Sequence, residues 1–475
     1  MKKPGKKLSL IELVALIVGS IIGGGVFNLM HDMATGAGIG AIIIGFVITG
    51  IGMVTLGLTF QNLNMKRPDL NAGIYSYAEA GFGRYMGFNS AWGYWLFALL
   101  GNVSYANLMM SAAAYFFPLF GNGQNIWSII TSSIVTWLAA FMVLKGIESA
   151  SFINTIITIV KLVPIFLFIL ITLFAFKLKI FSNDFWFTSS GHFQLASIFH
   201  QVKNTMLVSV WIFTGIEGAV VFSGRSKKRS DVGKATILGL IVVLLIYALV
   251  VLLSFGVMSR YNLSHLTQPA MADLLSSLVG KWGAAIINLG LIISILGAWL
   301  SWTLFACQVP YEAGKTGTFP KFFSKENKNR SPKMSIITTS FVIQLFILSF
   351  LVTTKAYNFF YSISTSLCLI PYAFSAFYQL KYSFQKDKTS TRFWNIIIGI
   401  ISSIYTIWLL FAAGVQFLLL TTLLLALGIP VYMYLQRKDN KRKKIFGPFE
   451  ALLAIIFVIC AIVAIYKLIT GGINL

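Results

Sequence analysis

Charge, and negative charge above all, is scarce in this chain. Its 475 residues include only 14 Asp and Glu, and the four charged types together make 11%, against roughly 25% in a soluble domain. That excludes a cytosolic globular protein. Cysteine is nearly absent too. Cys307, Cys368 and Cys460 each sit in an apolar run with no CxxC spacing, so neither a disulfide framework nor a zinc site is indicated. The four histidines (His31, His192, His200 and His265) do not pair at metal-ligand spacing. All are expected near the outer face, solvated or interfacial, with pH sensing a minor role. No metal or cofactor is therefore expected. Clustered catalytic acids, which a membrane enzyme would need, are missing, as is the ring of charges that would line a channel.

What fills the chain instead is apolar. Hydrophobic residues make 57% and aromatics 15% of it, with a mean hydropathy of +0.81, a composition suited to anchoring at two membrane interfaces. A spanning helix needs about 20 mainly apolar residues. Such runs are predicted at 9–33, 37–61, 87–113, 126–144, 149–175, 203–223, 235–258, 282–309, 335–354, 357–380, 394–412, 415–435 and 449–470, with the shortest linkers between spans 9 and 10 and between spans 11 and 12. The fold class is thus an all-α polytopic membrane protein with thirteen spans. No linker suggests a separate soluble domain. Residues 1–380 hold spans 1–10 as a core and 381–475 hold three additional C-terminal spans.

The net charge is +23, yet the basic residues lie in short clusters between apolar runs rather than in one patch, which argues against nucleic acid. With the N-terminus inside, 29 of the 37 Lys and Arg fall in cytoplasmic segments and seven in outer ones, leaving Lys161 within a span. This positive-inside bias predicts a cytoplasmic N-terminus and, after thirteen spans, an extracellular C-terminus in a cell (plasma) membrane. The basic head and apolar run at the N-terminus resemble a signal peptide. Without a clear cleavage site they read as a retained first span, opened by a Ser9–Glu12 capping box. Thr267-Gln-Pro269 is expected to start a short amphipathic helix lying on the outer surface. Ala313-Gly-Lys-Thr316 ends like a phosphate loop but has Val309 where glycine is required and follows a membrane helix.

Two spans carry sequence that resists being helical. In span 1, Gly19-Ser-Ile-Ile-Gly-Gly-Gly-Val-Phe27 places Gly23, Gly24 and Gly25 in a row, each costing about 1 kcal/mol against alanine in a helix. Close packing through Gly19 and Gly23 asks only for small residues four apart; a run of three predicts an unwound segment that offers backbone groups to a ligand. Span 6 repeats the theme in Trp211-Ile-Phe-Thr-Gly-Ile-Glu-Gly-Ala-Val-Val-Phe222. Spans 1–5 and 6–10 then form inverted halves with equivalent interrupted helices, the sequence pointer to a transporter's binding site. Glu217 lies deep in the second break, where a charge is expensive and normally faces a cavity or a partner; a structural carboxylate accepting backbone N–H is the alternative. Lys161 lies too far from its span ends to snorkel readily, with Pro164 loosening the helix after it, and a fixed cation beside span 1 would replace a sodium ion or carry a proton. Tyr94, Asn102 and Trp302 are intramembrane residues of a kind that more often packs than binds.

Taken together, GSIIGGGVF, PDLNAGIYSYAEAGFGRYMGF (68–88), WIFTGIEGAVVFSGR (211–225) and SWTLFACQVPYEAGKTGTFP (301–320) resemble the amino acid–polyamine–organocation transporters. Within them the chain is most similar to the basic amino acid/polyamine antiporters, especially the bacterial arginine:ornithine exchangers, over about residues 8–435. The resemblance implies the five-plus-five inverted-repeat fold with discontinuous spans 1 and 6 and substrate held between the breaks. It implies that Ser20, Ile21, Gly23, Gly24, Gly25 and Gly215 line the substrate, that Trp211 stacks on its cationic end, and that Asn102 contacts it. Trp302 matches an occluding gate on one side, and Tyr94, Glu217 and Tyr372 match the gate on the other. Lys161 resembles the lysine that replaces sodium in sodium-independent relatives. Ser20 and Gly24 depart from the asparagine and serine of the arginine:agmatine exchanger, and the thirteenth span exceeds the common twelve. The implied activity is exchange of arginine for ornithine, with a lysine, histidine or polyamine exchanger, or a proton-coupled uptake permease, as alternatives. Small cationic amino acids and the lipid bilayer are the expected partners, and a homodimer is an open expectation.

Overall fold

The computed structural model describes residues 9–70, 74–146, 160–217, 229–352, 355–438 and 445–473. Among these, the regular elements are all helical, and nine helices are long and apolar enough to cross a membrane. The chain is an all-α polytopic membrane protein. Its contacts divide it into two compact units. The first comprises residues 1–61, 107–125 and 152–298, the second 62–106, 126–151 and 299–475.

Span 1 is broken where the glycines predict. Helix Leu10–Ile21 ends, a 3-10 turn covers Gly25–Phe27, and a short helix Leu29–Gly36 follows. The span 6 helix runs over Leu195–Phe213, starting earlier than expected because Ile198, Gln201, Val202 and Thr205 present one buried face at helical spacing. It stops at Thr214, whose backbone turns to an extended conformation. Gly218 and the exit of this break lie outside the described residues, as do the first half of span 5, the side chain of Glu12 that would complete the N-terminal capping box, most of the basic 437–444 cluster, and Asn474.

Pro164 follows a local interruption of span 5, as expected. Val160 is helical, Lys161 is a turn residue and the helix resumes as Leu162–Ala175 with Pro164 in its first turn, so the interruption falls where the proline has no N–H for the Val160 carbonyl. Spans 11 and 12 run together over Arg392–Ala426 except at Gly414, whose φ of 78° and ψ of 158° interrupt the helix. The expected surface helix is Ala270–Val279, and its apolar face packs on protein. It buries Met271, Leu274 and Leu275 against the 3-10 turn of span 1, Leu29–Gly36 and Leu162–Ala175. Those three side chains form an apolar stripe, and the stripe finds protein rather than lipid headgroups.

Candidate substrate site

In the first unit, the two breaks meet. Gly215 has φ +102°, and a Cβ there would lie 2.7 Å from the Ser20 carbonyl oxygen. Only glycine meets both requirements. Ser20 returns the contact, its hydroxyl donating to Ile17 O at 2.9 Å and approaching Gly215 O at 3.4 Å. Tyr247 joins the same place: its hydroxyl donates to Ile212 O at 3.0 Å and lies 3.4 Å from Ile21 O. Trp211, buried on the last turn of the span 6 helix, sets its indole against Gly25, so that a Cβ at position 25 would come within 3.0 Å of Nε1. Gly24 is similarly closed in, with Ile295 at 3.1 Å and Leu108 at 3.2 Å from an added Cβ. Ser294 Oγ reaches Gly23 O at 3.4 Å.

Both ionisable residues predicted here are buried. A Glu217 oxygen accepts the Gly215 backbone N–H at 3.2 Å, so at least part of its surroundings is the unwound backbone itself. Lys161 stands just before Leu162–Ala175 and donates from Nζ to Gly19 O and Ile22 O. Breaking span 1 leaves the last carbonyls of its first helix without partners four residues on, at the negative end of the helix dipole. An ammonium is the side chain suited to both deficits.

In the second unit, Tyr94 packs edge-on against Phe97 (ring centroids 5.3 Å apart), and Phe97 packs edge-on against Trp302 (5.2 Å). Five residues beyond Phe97, Asn102 is fully buried. Its amide donates to Thr303 Oγ1 at 3.4 Å, while its Oδ1 has no hydrogen-bond partner among the described residues. Tyr372 follows Pro371 in helix Ala356–Gln385 and is buried. The structure therefore brings Ser20, Ile21, Gly23, Gly24, Gly25, Trp211, Gly215, Glu217 and Lys161 together in the first unit, and Tyr94, Asn102 and Trp302 together in the second.

Three polar residues of the break region were missed by sequence reasoning. Tyr247 carries no local signal. Asn28 and Asp32 lie within span 1, and Asp32 is an acid in an apolar run, the same signal that singled out Glu217. Ending span 1 at residue 33 put Asp32 at its end. The break places it instead in the first turn of a new buried helix. His31, expected to be solvated or interfacial, is tied to it at 3.0 Å.

A discontinuous span with its carbonyls tied to a buried lysine, packed against a second discontinuous span bearing a buried tryptophan and glutamate, is the architecture of a membrane transporter. The chain matches the amino acid permease family model over residues 8–423 and belongs to that family, within the amino acid–polyamine–organocation transporters. It is 45% identical over 484 residues to an arginine/ornithine antiporter of Pseudomonas aeruginosa, covering all of both chains. It is 44% identical to an arginine/agmatine antiporter of Chlamydia abortus, covering all of this chain and 99% of the relative. An arginine/ornithine antiporter of Latilactobacillus sakei is 42% identical, with 99% of each chain covered.

Proposed function

We propose that the chain is an antiporter that exchanges a cationic amino acid for its metabolic product, arginine for ornithine, by alternating access. The observation that carries this is the meeting of two interrupted spans around Trp211 and Gly25, in a chain related along its whole length to arginine/ornithine and arginine/agmatine antiporters. Trp211 supplies a π face for the cationic end of the substrate, worth about 2 kcal/mol when desolvated. The helix and 3-10 N-termini beside Gly24 and Gly25 suit the α-carboxylate, and Asn102 Oδ1 is a buried acceptor for a substrate N–H. Tyr94, Glu217 and Tyr372 serve as the gate on one side of the substrate and Trp302 on the other. Lys161 stands in place of a coupling sodium ion. Residues 1–380 are the transport core and 381–475 an addition to it. The protein sits in the cell membrane with its N-terminus cytoplasmic, its C-terminus outside, and lipid, with a second copy in a homodimer, as its macromolecular surroundings.

The test is counterflow in proteoliposomes. Vesicles loaded with unlabelled ornithine should take up labelled arginine, empty vesicles should not, and the rate should be the same in sodium and choline buffers. Uptake into empty vesicles would replace exchange by uniport or proton coupling, and clear sodium stimulation would remove the role given to Lys161.

A further inference from the structure

The outer half of span 1 contains a polar chain unrelated to substrate contacts. Asn28 stands between the 3-10 turn Gly25–Phe27 and helix Leu29–Gly36. Its Oδ1 accepts the backbone N–H of Ala270 at 3.2 Å, and its Nδ2 donates to Asp32 Oδ1 at 2.8 Å. His31 Nδ1 lies 3.0 Å from the same carboxylate oxygen. The donor roles follow from chemistry. A backbone N–H only donates, so the Asn28 oxygen faces Ala270 and its NH2 faces Asp32. Asp32 Oδ1 is therefore an acceptor for Asn28, and with Asp32 ionised His31 points an Nδ1–H at it. That leaves His31 Nε2 as the atom with a lone pair. The Asp32 side chain is 3% exposed and that of His31 15%, so a proton reaches the pair through the imidazole.

We propose that His31 and Asp32 form a proton-binding site in the outer half of span 1, with the proton added at His31 Nε2 and the resulting imidazolium balanced by the Asp32 carboxylate. An ionised carboxylate buried at membrane depth is normally matched by a positive partner. With His31 neutral, Asp32 faces dipoles, from Asn28, His31 and the start of its own helix; with His31 protonated, the pair is neutral overall. Because Asn28 bonds both Asp32 and Ala270, the protonated pair holds Leu29–Gly36 against the helix Ala270–Val279. Loss of the proton weakens that hold. Binding of the proton and the position of span 1's outer half are then linked, each shifting the other.

Other charged and titratable groups stand on the elements packed against Leu29–Gly36. Arg260 donates to Ala34 O at 2.8 Å and pairs with Asp184 at 3.5 Å. Asp273 accepts from Thr267. Tyr261 stacks on exposed His265. On Leu195–Phe213, His200 is exposed and Lys203 half-buried. On Arg229–Val257, Tyr247 bonds the breaks, and Asp231 and Lys234 lie at the far end of the helix. His31 is the histidine bonded to a buried carboxylate.

The proposal rests on the transport reading above, and it is tested by arginine–ornithine exchange in right-side-out membrane vesicles with inner pH clamped and outer pH varied. Wild-type exchange should change by about threefold or more between about pH 5 and pH 8 outside. His31→Gln and Asp32→Asn should each flatten that profile. Each variant is compared with itself at two pH values, so a loss of folded protein cancels, and His31→Gln alone decides the matter if Asp32→Asn does not insert. Exchange indifferent to outer pH in the wild type, or a wild-type profile in His31→Gln, overturns the proton site. No exchange at any pH overturns the transport reading instead.

Discussion

At the scale of single residues, Trp211 separates a cationic substrate from a neutral one. Replacing it by leucine keeps roughly the apolar volume and removes the π face. Loss of about 2 kcal/mol at 1.4 kcal/mol per decade should weaken arginine and ornithine binding about thirtyfold. A neutral amino acid of similar length should be affected far less. Scintillation proximity binding of labelled arginine to purified Trp211→Leu measures this directly; affinity equal to wild type would remove the aromatic clamp. Much at this scale was legible in the sequence. Glycine runs and lone charges in apolar stretches are rare enough to stand out without a structure. Trp211 was singled out only by the family resemblance, whereas both breaks, Glu217 and Lys161 stood out through such runs and charges. Tyr247 and Asn28 did not. An aromatic residue or an asparagine in a membrane span has many uses, and only the three-dimensional position of its hydroxyl or amide shows which one applies.

At the scale of elements, a polar network fastens helices of the second unit at their ends. Lys66, the last residue of helix Ile39–Lys66, forms an ion pair with Asp387. Asp387 also accepts from Asn395 Nδ2 at 2.8 Å and from Thr389 Oγ1 at 2.7 Å. Asn62 Nδ2 bonds Asn395 Oδ1 at 2.9 Å. Burial alone would raise the Asp387 carboxyl, but the hydrogen bonds from Lys66, Thr389 and Asn395 outweigh it and hold the group well below the usual carboxylate range. A carboxyl with a depressed folded-state value adds stability that is fully present above its ordinary value of about 4 and is lost as pH falls through the depressed one. Thermal unfolding in detergent should therefore show the wild type losing stability on acidification below about pH 4. Asp387→Asn should already be less stable at pH 7, by about 3 kcal/mol for a broken buried pair, with a shallower acid dependence. Equal unfolding temperatures at pH 7 would show that the network does not bear on stability. Sequence alone could place Lys66 and Asp387 in separate loops and no further, because a pair 321 residues apart leaves no local trace. The helix Ala270–Val279 teaches the same lesson from the other side: its amphipathic stripe was readable, but what the stripe packs against was not.

At the scale of the whole molecule, the proposed orientation makes a claim about both ends of the last helix, Pro448–Ile469. The basic stretch before it should face the cytoplasm and Asn474 the outside. A single cysteine at Asn474, in a background lacking Cys307, Cys368 and Cys460, should react with an impermeant maleimide in intact cells. One placed at Asn440 should react only after lysis. The reverse pattern would invert the topology, and labelling at both positions only after lysis would mean that the last helix does not cross. The positions of the long apolar helices were readable because each apolar run supplies its own evidence, but their number was not: nine helices among the described residues are long and apolar enough to cross, and expected spans 11 and 12 run together. The two discontinuities were readable because three adjacent glycines, or Thr-Gly-Ile-Glu-Gly, are such poor helix material.

Lys161 carries a consequence for energy conversion. Its ammonium holds the carbonyl end of the first helix of span 1 from a side chain covalently fixed to span 5, so in the proposed role this cation cannot diffuse to either bathing solution. A diffusible ion in that place would do work by running down its own gradient and would let a cell concentrate substrate without supplying anything in return. A tethered one contributes only its field. In the proposed cycle, the distribution of one amino acid across the membrane is then set by the distribution of the other. A cell that keeps making ornithine keeps drawing arginine in, with no sodium gradient to maintain.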